Sequence, residues 1–267
     1  MSITVQQLDT ARGSFRIGYA GNKAAPALVL SNSLGTVLEM WSPQIEAFAQ
    51  NYYVICYDTR GHGGSPVTKG PYDFAGLSQD VLAIMDALQI QQAAFCGVSM
   101  GGHTALWLGR YAAERIKAIA VCNSAAKIGT EQAWAERAQA LRKGGAEAMK
   151  KLAETAPDRW FTKEFIAQQP AVVQRMQEVL AQLDPEGYAA CCDALGQSDL
   201  RDEIAAIKIP TLLLTGDQDP VTTVADAEEM KAKISQAHLA VLPASHISNI
   251  EAEQAFTQTV LDFLSQH

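Results

Sequence analysis

Long apolar runs are missing from this sequence. No stretch approaches the roughly 18 residues that a membrane-spanning helix requires, so no membrane partner is expected. The first ten residues, Met1 to Thr10, carry no basic start, no apolar segment and no small-residue cleavage site. That predicts a chain that works in the cytoplasm. Paired cysteines are missing as well: Cys56, Cys96, Cys122, Cys191 and Cys192 contain no C-x-x-C spacing. Three of them fall in apolar strand-like runs, where a reduced thiol behaves as a small hydrophobe. No His, Cys or carboxylate cluster has the spacing of a metal site, so neither a metal nor a cofactor is expected. Positive charge is scarce, with 21 Lys and Arg against 29 Asp and Glu and a net charge of −8. Nucleic-acid binding needs a concentrated basic surface, and the sequence offers none. The same deficit makes the protein a poor attractor of anions unless a local cationic site overrides the global field.

What remains is globular: 267 residues, 48% apolar and 19% charged, enough for one large domain or two small ones. Short β-rich runs recur at Ile3–Leu8, Phe15–Ala20, Ala27–Asn32, Tyr53–Asp58, Ala93–Val98, Ile116–Cys122, Thr211–Gly216 and Leu239–Pro243. Segments with helical spacing lie between them, at Leu77–Leu88, Met100–Glu114, Val224–Ile234 and Glu251–Phe263. Strands alternating with helices predict an α/β fold with a mostly parallel sheet of eight strands and helices on both faces. The first two runs lie too close together for a crossover and predict an antiparallel edge hairpin.

One stretch breaks this rhythm. From about Ala125 to Ser198 there are only helical patterns, interrupted at Gly144-Gly145, Pro157, Pro170 and Pro185. An all-helical insertion between two sheet strands predicts a cap over their C-terminal edge, where open α/β sheets bind ligands. The expected division is a core of residues 1–124 and 199–267, with a helical cap at 125–198.

Chemistry concentrates in a few loops. Gly97-Val-Ser99-Met-Gly101-Gly102 follows one strand-like run and opens a helix-like one. That context, strand then sharp turn then helix, marks Ser99 as a nucleophile exposed at a helix N-terminus. Serine needs a base at neutral pH. Of the five histidines, His267 is terminal, His238 precedes a strand, and His62 lies in a Gly-rich loop. His103 is expected to face outward along the helix after Ser99, as a packed or exposed residue. His246 directly follows a strand and is the predicted base. Asp217 and Asp219 both follow the strand Thr211–Gly216; Asp219, further out and before Pro220, is favoured as the orienting carboxylate. The Met100 N–H and the Leu34 N–H, from the loop after Ala27–Asn32, are the expected oxyanion donors. Asp58-Thr-Arg60-Gly-His-Gly-Gly-Ser65 is also charged and Gly-rich, and is expected to organise a turn beneath the active-site loop.

Together these motifs resemble the α/β-hydrolase superfamily over essentially the whole chain, including its Ser, Asp, His order. More narrowly, Ser31-Asn-Ser-Leu-Gly-Thr36, Gly216-Asp-Gln-Asp-Pro-Val-Thr222 and Ala244-Ser-His-Ile-Ser-Asn-Ile-Glu251 are similar to bacterial 3-oxoadipate enol-lactonases. The resemblance implies hydrolysis of the enol-lactone in the catabolism of protocatechuate or catechol. A carboxylesterase, a carbon–carbon bond hydrolase and a hydrolase-like receptor are the rival readings. A small anionic lactone as substrate calls for a cation in the pocket. Residues 125–198 hold nine Lys/Arg and ten Asp/Glu, a net −1 that leaves −7 for the rest. Trp134 and Arg137, three apart, share a helix face, and Arg159-Trp160 repeats the pairing. Tryptophan can cover the ring while arginine binds a carboxylate bidentately. The alternative is core tryptophans with solvated cap charges.

Overall fold

Runs such as Tyr53–Tyr57 and Ala93–Val98, with every residue buried, can be satisfied only by strands covered on both faces. In the computed structural model, which describes residues 3–267, eight strands form one sheet. They are β1 (Thr4–Thr10), β2 (Gly13–Ala20), β3 (Ala27–Ser31), β4 (Tyr53–Tyr57), β5 (Ala93–Val98), β6 (Ile116–Cys122), β7 (Thr211–Gly216) and β8 (Ala237–Leu242). Their spatial order is β1-β2-β4-β3-β5-β6-β7-β8. β1 pairs antiparallel with β2, as does β2 with β4, and every later pairing is parallel. The edge strand β1 is largely exposed, and its apolar content is correspondingly thin.

Period-two alternation divides the core. Val54 and Cys56 of β4 and Ala94, Cys96 and Val98 of β5 face one side, where α1 (Ser42–Phe48) and α11 (Glu253–Leu264) bring Phe48 and Phe256. Ile55 and Phe95 face the other, against Val81, Ile84 and Met85 of α2 (Phe74–Ala87) and Leu106 of α3 (Met100–Tyr111). α9 (Val224–Lys233) closes that second face through Met230. Each fully buried large side chain of this kind contributes about 1.5–3 kcal/mol of transfer free energy.

Between β6 and β7 the chain is entirely helical: α4 (Glu131–Thr155), α5 (Pro157–Trp160), α6 (Lys163–Gln168), α7 (Pro170–Ala181) and α8 (Pro185–Gln197). The prolines begin helices rather than interrupt them, since Pro157, Pro170 and Pro185 each sit at a first turn where no N–H is needed. Gly145, with φ +56°, kinks α4 where the sequence pattern breaks. Thr130 and Asp184 cap α4 and α8 by accepting backbone N–H bonds. Residues 251–263 form two helices instead of one, α10 (Ser248–Glu251) and α11, separated at Ala252. Among the described residues no helix is long and apolar enough to cross a membrane.

Candidate active site

Ser99 occupies the turn between β5 and α3 with φ +56° and ψ −113°. A non-glycine residue in that region costs about 1–3 kcal/mol, so the surrounding contacts must impose it. They do. Ser99 N–H donates to the Cys122 carbonyl at 2.8 Å, and its own carbonyl accepts from Ser124 Oγ at 2.8 Å and His103 N–H at 2.9 Å. The flanking glycines are required by space: a Cβ on Gly97 would lie 2.1 Å from the Gly101 carbonyl oxygen, and one on Gly101 would lie 2.2 Å from that of Ser31.

His246, in the loop after β8, places Nε2 2.8 Å from Ser99 Oγ and Nδ1 2.8 Å from Asp219 Oδ2. Asp219 Oδ1 accepts the N–H groups of Val221 and Thr222, and Oδ2 accepts Thr222 Oγ1 at 2.8 Å and Asn123 Nδ2 at 3.0 Å. Burial pushes this carboxyl up, but His246, the Thr222 N–H and Asn123 together outweigh it and the net shift is downward. The carboxylate therefore stays ionised, the His246 proton sits on Nδ1, and Nε2 is free to accept the Ser99 hydroxyl proton. Asp217, the other candidate of its loop, is exposed, while Asp219 is buried.

Three contacts aim the histidine loop. Asn123 Nδ2 also donates to the Ser245 carbonyl at 3.1 Å. Glu251 accepts the N–H of Ser245 at 2.8 Å and that of Thr162 at 3.1 Å, and the Trp160 carbonyl accepts Ile247 N–H at 3.0 Å. The helical segment and the His246 loop are thus stitched together beside the site.

Ser99 and His246 open into a cavity of about 240 Å³, also lined by Leu34, Trp134, Arg137, Arg159, Trp160 and Tyr188. The Arg137 guanidinium lies 4.7 Å over the Trp134 ring, and its charge, with that of Arg159, opposes the rise that burial gives the Tyr188 hydroxyl pKa. Burial and the charge of Arg137 lower the Arg159 pKa. Neither arginine forms an ion pair among the described residues. Two cations share this cavity, and among the described residues that line it there is no carboxylate. Among the described residues no three His, Cys, Asp or Glu side chains come together as a metal site.

Leu34 lies in the loop after β3. There the N–H groups of Ser33, Gly35 and Thr36 donate to Met40 Sδ, His62 Nε2 and the Ser33 carbonyl, at 3.4, 3.0 and 3.2 Å. Among the described residues the Leu34 N–H, like that of Val37, donates to no protein acceptor. Met100 N–H begins α3 directly after Ser99.

Two histidines sit differently from expectation. His103 does not face outward. It is buried, with Nδ1 2.9 Å from the Ala125 carbonyl and Nε2 2.7 Å from Ser198 Oγ, so it ties α3 to both stems of the helical insertion. His238 lies within β8 rather than before it, because that strand starts at Ala237. Sequence reasoning missed Asn123, Thr222 and Tyr188. Asn123 carried a usable signal, since it follows the C-terminal end of a parallel strand, where such sheets place their sites. Tyr188 carried none; only the packing of α8 brings it to the cavity.

A family model described as alpha/beta hydrolase fold matches residues 26–253. The chain is 50% identical over 246 residues to 3-oxoadipate enol-lactonase 2 of Acinetobacter baylyi, covering 91% of each protein. It is 46% identical over 244 residues to 3-oxoadipate enol-lactonase 1 of the same organism, covering 91% of this chain and 90% of that one. Among solved structures, the enol-lactonase from Burkholderia xenovorans LB400 is similar with a TM-score of 0.93 at 43% identity, covering 97% of this chain and 100% of that one.

Proposed function

This chain belongs to the alpha/beta hydrolase fold family, and from that premise we propose that it hydrolyses 3-oxoadipate enol-lactone to 3-oxoadipate. The observation that carries the reading is the 50% identity to an enol-lactonase; the site supplies the chemistry. Ser99 Oγ attacks the lactone carbonyl as His246 Nε2 takes its proton, and Asp219 stabilises the imidazolium. The N–H groups of Leu34 and Met100 hold the oxyanion. Collapse breaks the ring C–O bond, and the departing enolate takes up the proton held by His246 and settles as a ketone. An acyl-enzyme is left on Ser99. His246 then deprotonates a water that attacks the acyl carbon; the second collapse returns the proton to Ser99 and frees the new carboxylate. No step calls for a metal or cofactor.

The core, residues 1–124 and 199–267, carries this machinery, while the cap, 125–198, shapes the substrate cavity. Trp134 and Trp160 cover the lactone ring, and Arg137, with Arg159 beside it, binds the substrate carboxylate. These arginines answer the question raised by the acidic composition, because the attraction of an anion is local. The partner is a small anionic molecule rather than a nucleic acid or a membrane. Five unpaired cysteines agree with a reducing cytoplasm.

The discriminating experiment compares an anionic lactone with a neutral ester. Charge-assisted hydrogen bonds contribute about 1.5–3 kcal/mol, so Arg137→Ala is expected to raise KM for the enol-lactone roughly 10- to 100-fold. KM for a neutral aryl ester should barely move. Equal losses on both substrates would refute the carboxylate role and favour a general carboxylesterase.

A further inference from the structure

The loop Asp58–Ser65, which the hydrolytic steps do not use, holds a fully buried histidine against the loop that carries Leu34. We propose that His62 is a positioning residue for the oxyanion site: its neutral Nε2 lone pair fixes the Gly35 N–H and so aims the adjacent Leu34 N–H at the reacting carbonyl. This rests on the assignment of Leu34 as an oxyanion donor.

Gly35 N–H donates to His62 Nε2 at 3.0 Å, at a residue with φ +84° whose backbone has no side chain to hold it in place. On the other side of the ring, Cys191 Sγ lies 4.0 Å from Nδ1 and itself donates to the Arg60 carbonyl at 3.5 Å. With Nε2 accepting, the single proton of the neutral ring sits on Nδ1, so both nitrogens are committed. Burial keeps the imidazole neutral by lowering its pKa to about 4. A cationic ring would present an N–H to Gly35 N–H and push that loop away.

The histidine is itself held firmly. Asp58 accepts the N–H groups of Leu38 and Gly64 at 2.8 and 2.9 Å, and Gly61 N–H and His62 N–H close the turn onto the carbonyls of Pro66 and Thr59 at 2.8 Å each. Tyr188 packs its ring 6.0 Å from that of His62 on the cavity side. A rigid turn therefore carries an acceptor, Nε2, that receives the peptide N–H next to Leu34. Removing an oxyanion donor outright costs about 100- to 1,000-fold in kcat; releasing one from its aim costs less.

The test uses His62→Leu, which removes the acceptor, and His62→Gln, whose side-chain carbonyl can replace it. Active sites are counted by titrating Ser99 to completion with a fluorophosphonate. On active sites so counted, His62→Leu should lower kcat on the enol-lactone roughly 10- to 100-fold with KM changed by less than about threefold. Affinity for a boronic acid that forms a tetrahedral anion on Ser99 should weaken by a similar factor, and His62→Gln should recover most of both losses. The proposal is overturned if His62→Leu matches the wild type in kcat and boronate affinity once thermal stability is accounted for, or if His62→Gln rescues neither. Failure of the substrate reading looks different: the wild type would bind the boronate, His62→Leu would weaken that binding, and neither would consume the lactone.

Discussion

Asp219 Oδ2 receives three donors from three segments of chain, His246 Nδ1, Thr222 Oγ1 and Asn123 Nδ2, all within 3.0 Å. Burial pushes the carboxyl up, but His246, the Thr222 N–H and Asn123 together hold it below its ordinary value. Stability from this group is therefore present above the ordinary carboxylate pKa and is lost as pH falls through the lowered folded value. Asp219→Asn preserves the shape but selects the wrong His246 tautomer, and kcat should fall by about 10⁴-fold with KM little changed. A steady-state assay at neutral pH checks this, and a loss under tenfold would remove Asp219 from its role. At this scale Ser99, His246 and Asp219, which hydrogen-bond in series at 2.8 Å, could be picked out from loops following strands. Asn123 and His62 could not be assigned their contacts, because these are made across 96 and 27 residues of chain and have no local pattern.

At the scale of elements, the β5–α3 turn shows how packing enforces a strained backbone at Ser99. Gly101 lets α3 approach the end of β3 so closely that a Cβ would meet the Ser31 carbonyl at 2.2 Å, and backbone cannot give way as a side-chain tip can. Gly101→Ala should therefore cost about 3 kcal/mol or more of stability, read as a lowered urea midpoint. A midpoint within the error of the wild type would contradict the close approach. Strand positions were legible because period-two patterns and fully apolar runs report burial directly. Helix starts at Pro157, Pro170 and Pro185 were legible only as breaks: proline marks a discontinuity, and whether it ends one helix or begins the next is settled by the packing around it.

Across the whole molecule, two buried histidines link stability to pH. Burial lowers both His62 and His103 from 6.5 to about 4. The unfolded chain thus binds protons that the fold refuses, so stability is complete above about pH 6.5, declines as pH falls towards 4, and levels off below for these groups. Each contributes a slope of up to about 1.4 kcal/mol per pH unit. Urea midpoints across this window should fall with acidification, and His62→Gln should flatten the slope by about one proton; an unchanged slope would show that His62 is not the group responsible. The α/β class and helical insertion were evident from alternation alone. The cavity's cationic character was only partly so, since charge totals say nothing about which arginines lack partners.

In the proposed reaction Ser99 opens an enol-lactone. Ultraviolet disappearance of 3-oxoadipate enol-lactone, followed with purified wild type and with Ser99→Ala, tests it most directly. Rapid loss of the lactone is expected with the wild type, and a kcat lower by at least about 10⁴-fold in the variant. Comparable rates from both proteins, or no consumption by the wild type, would contradict it.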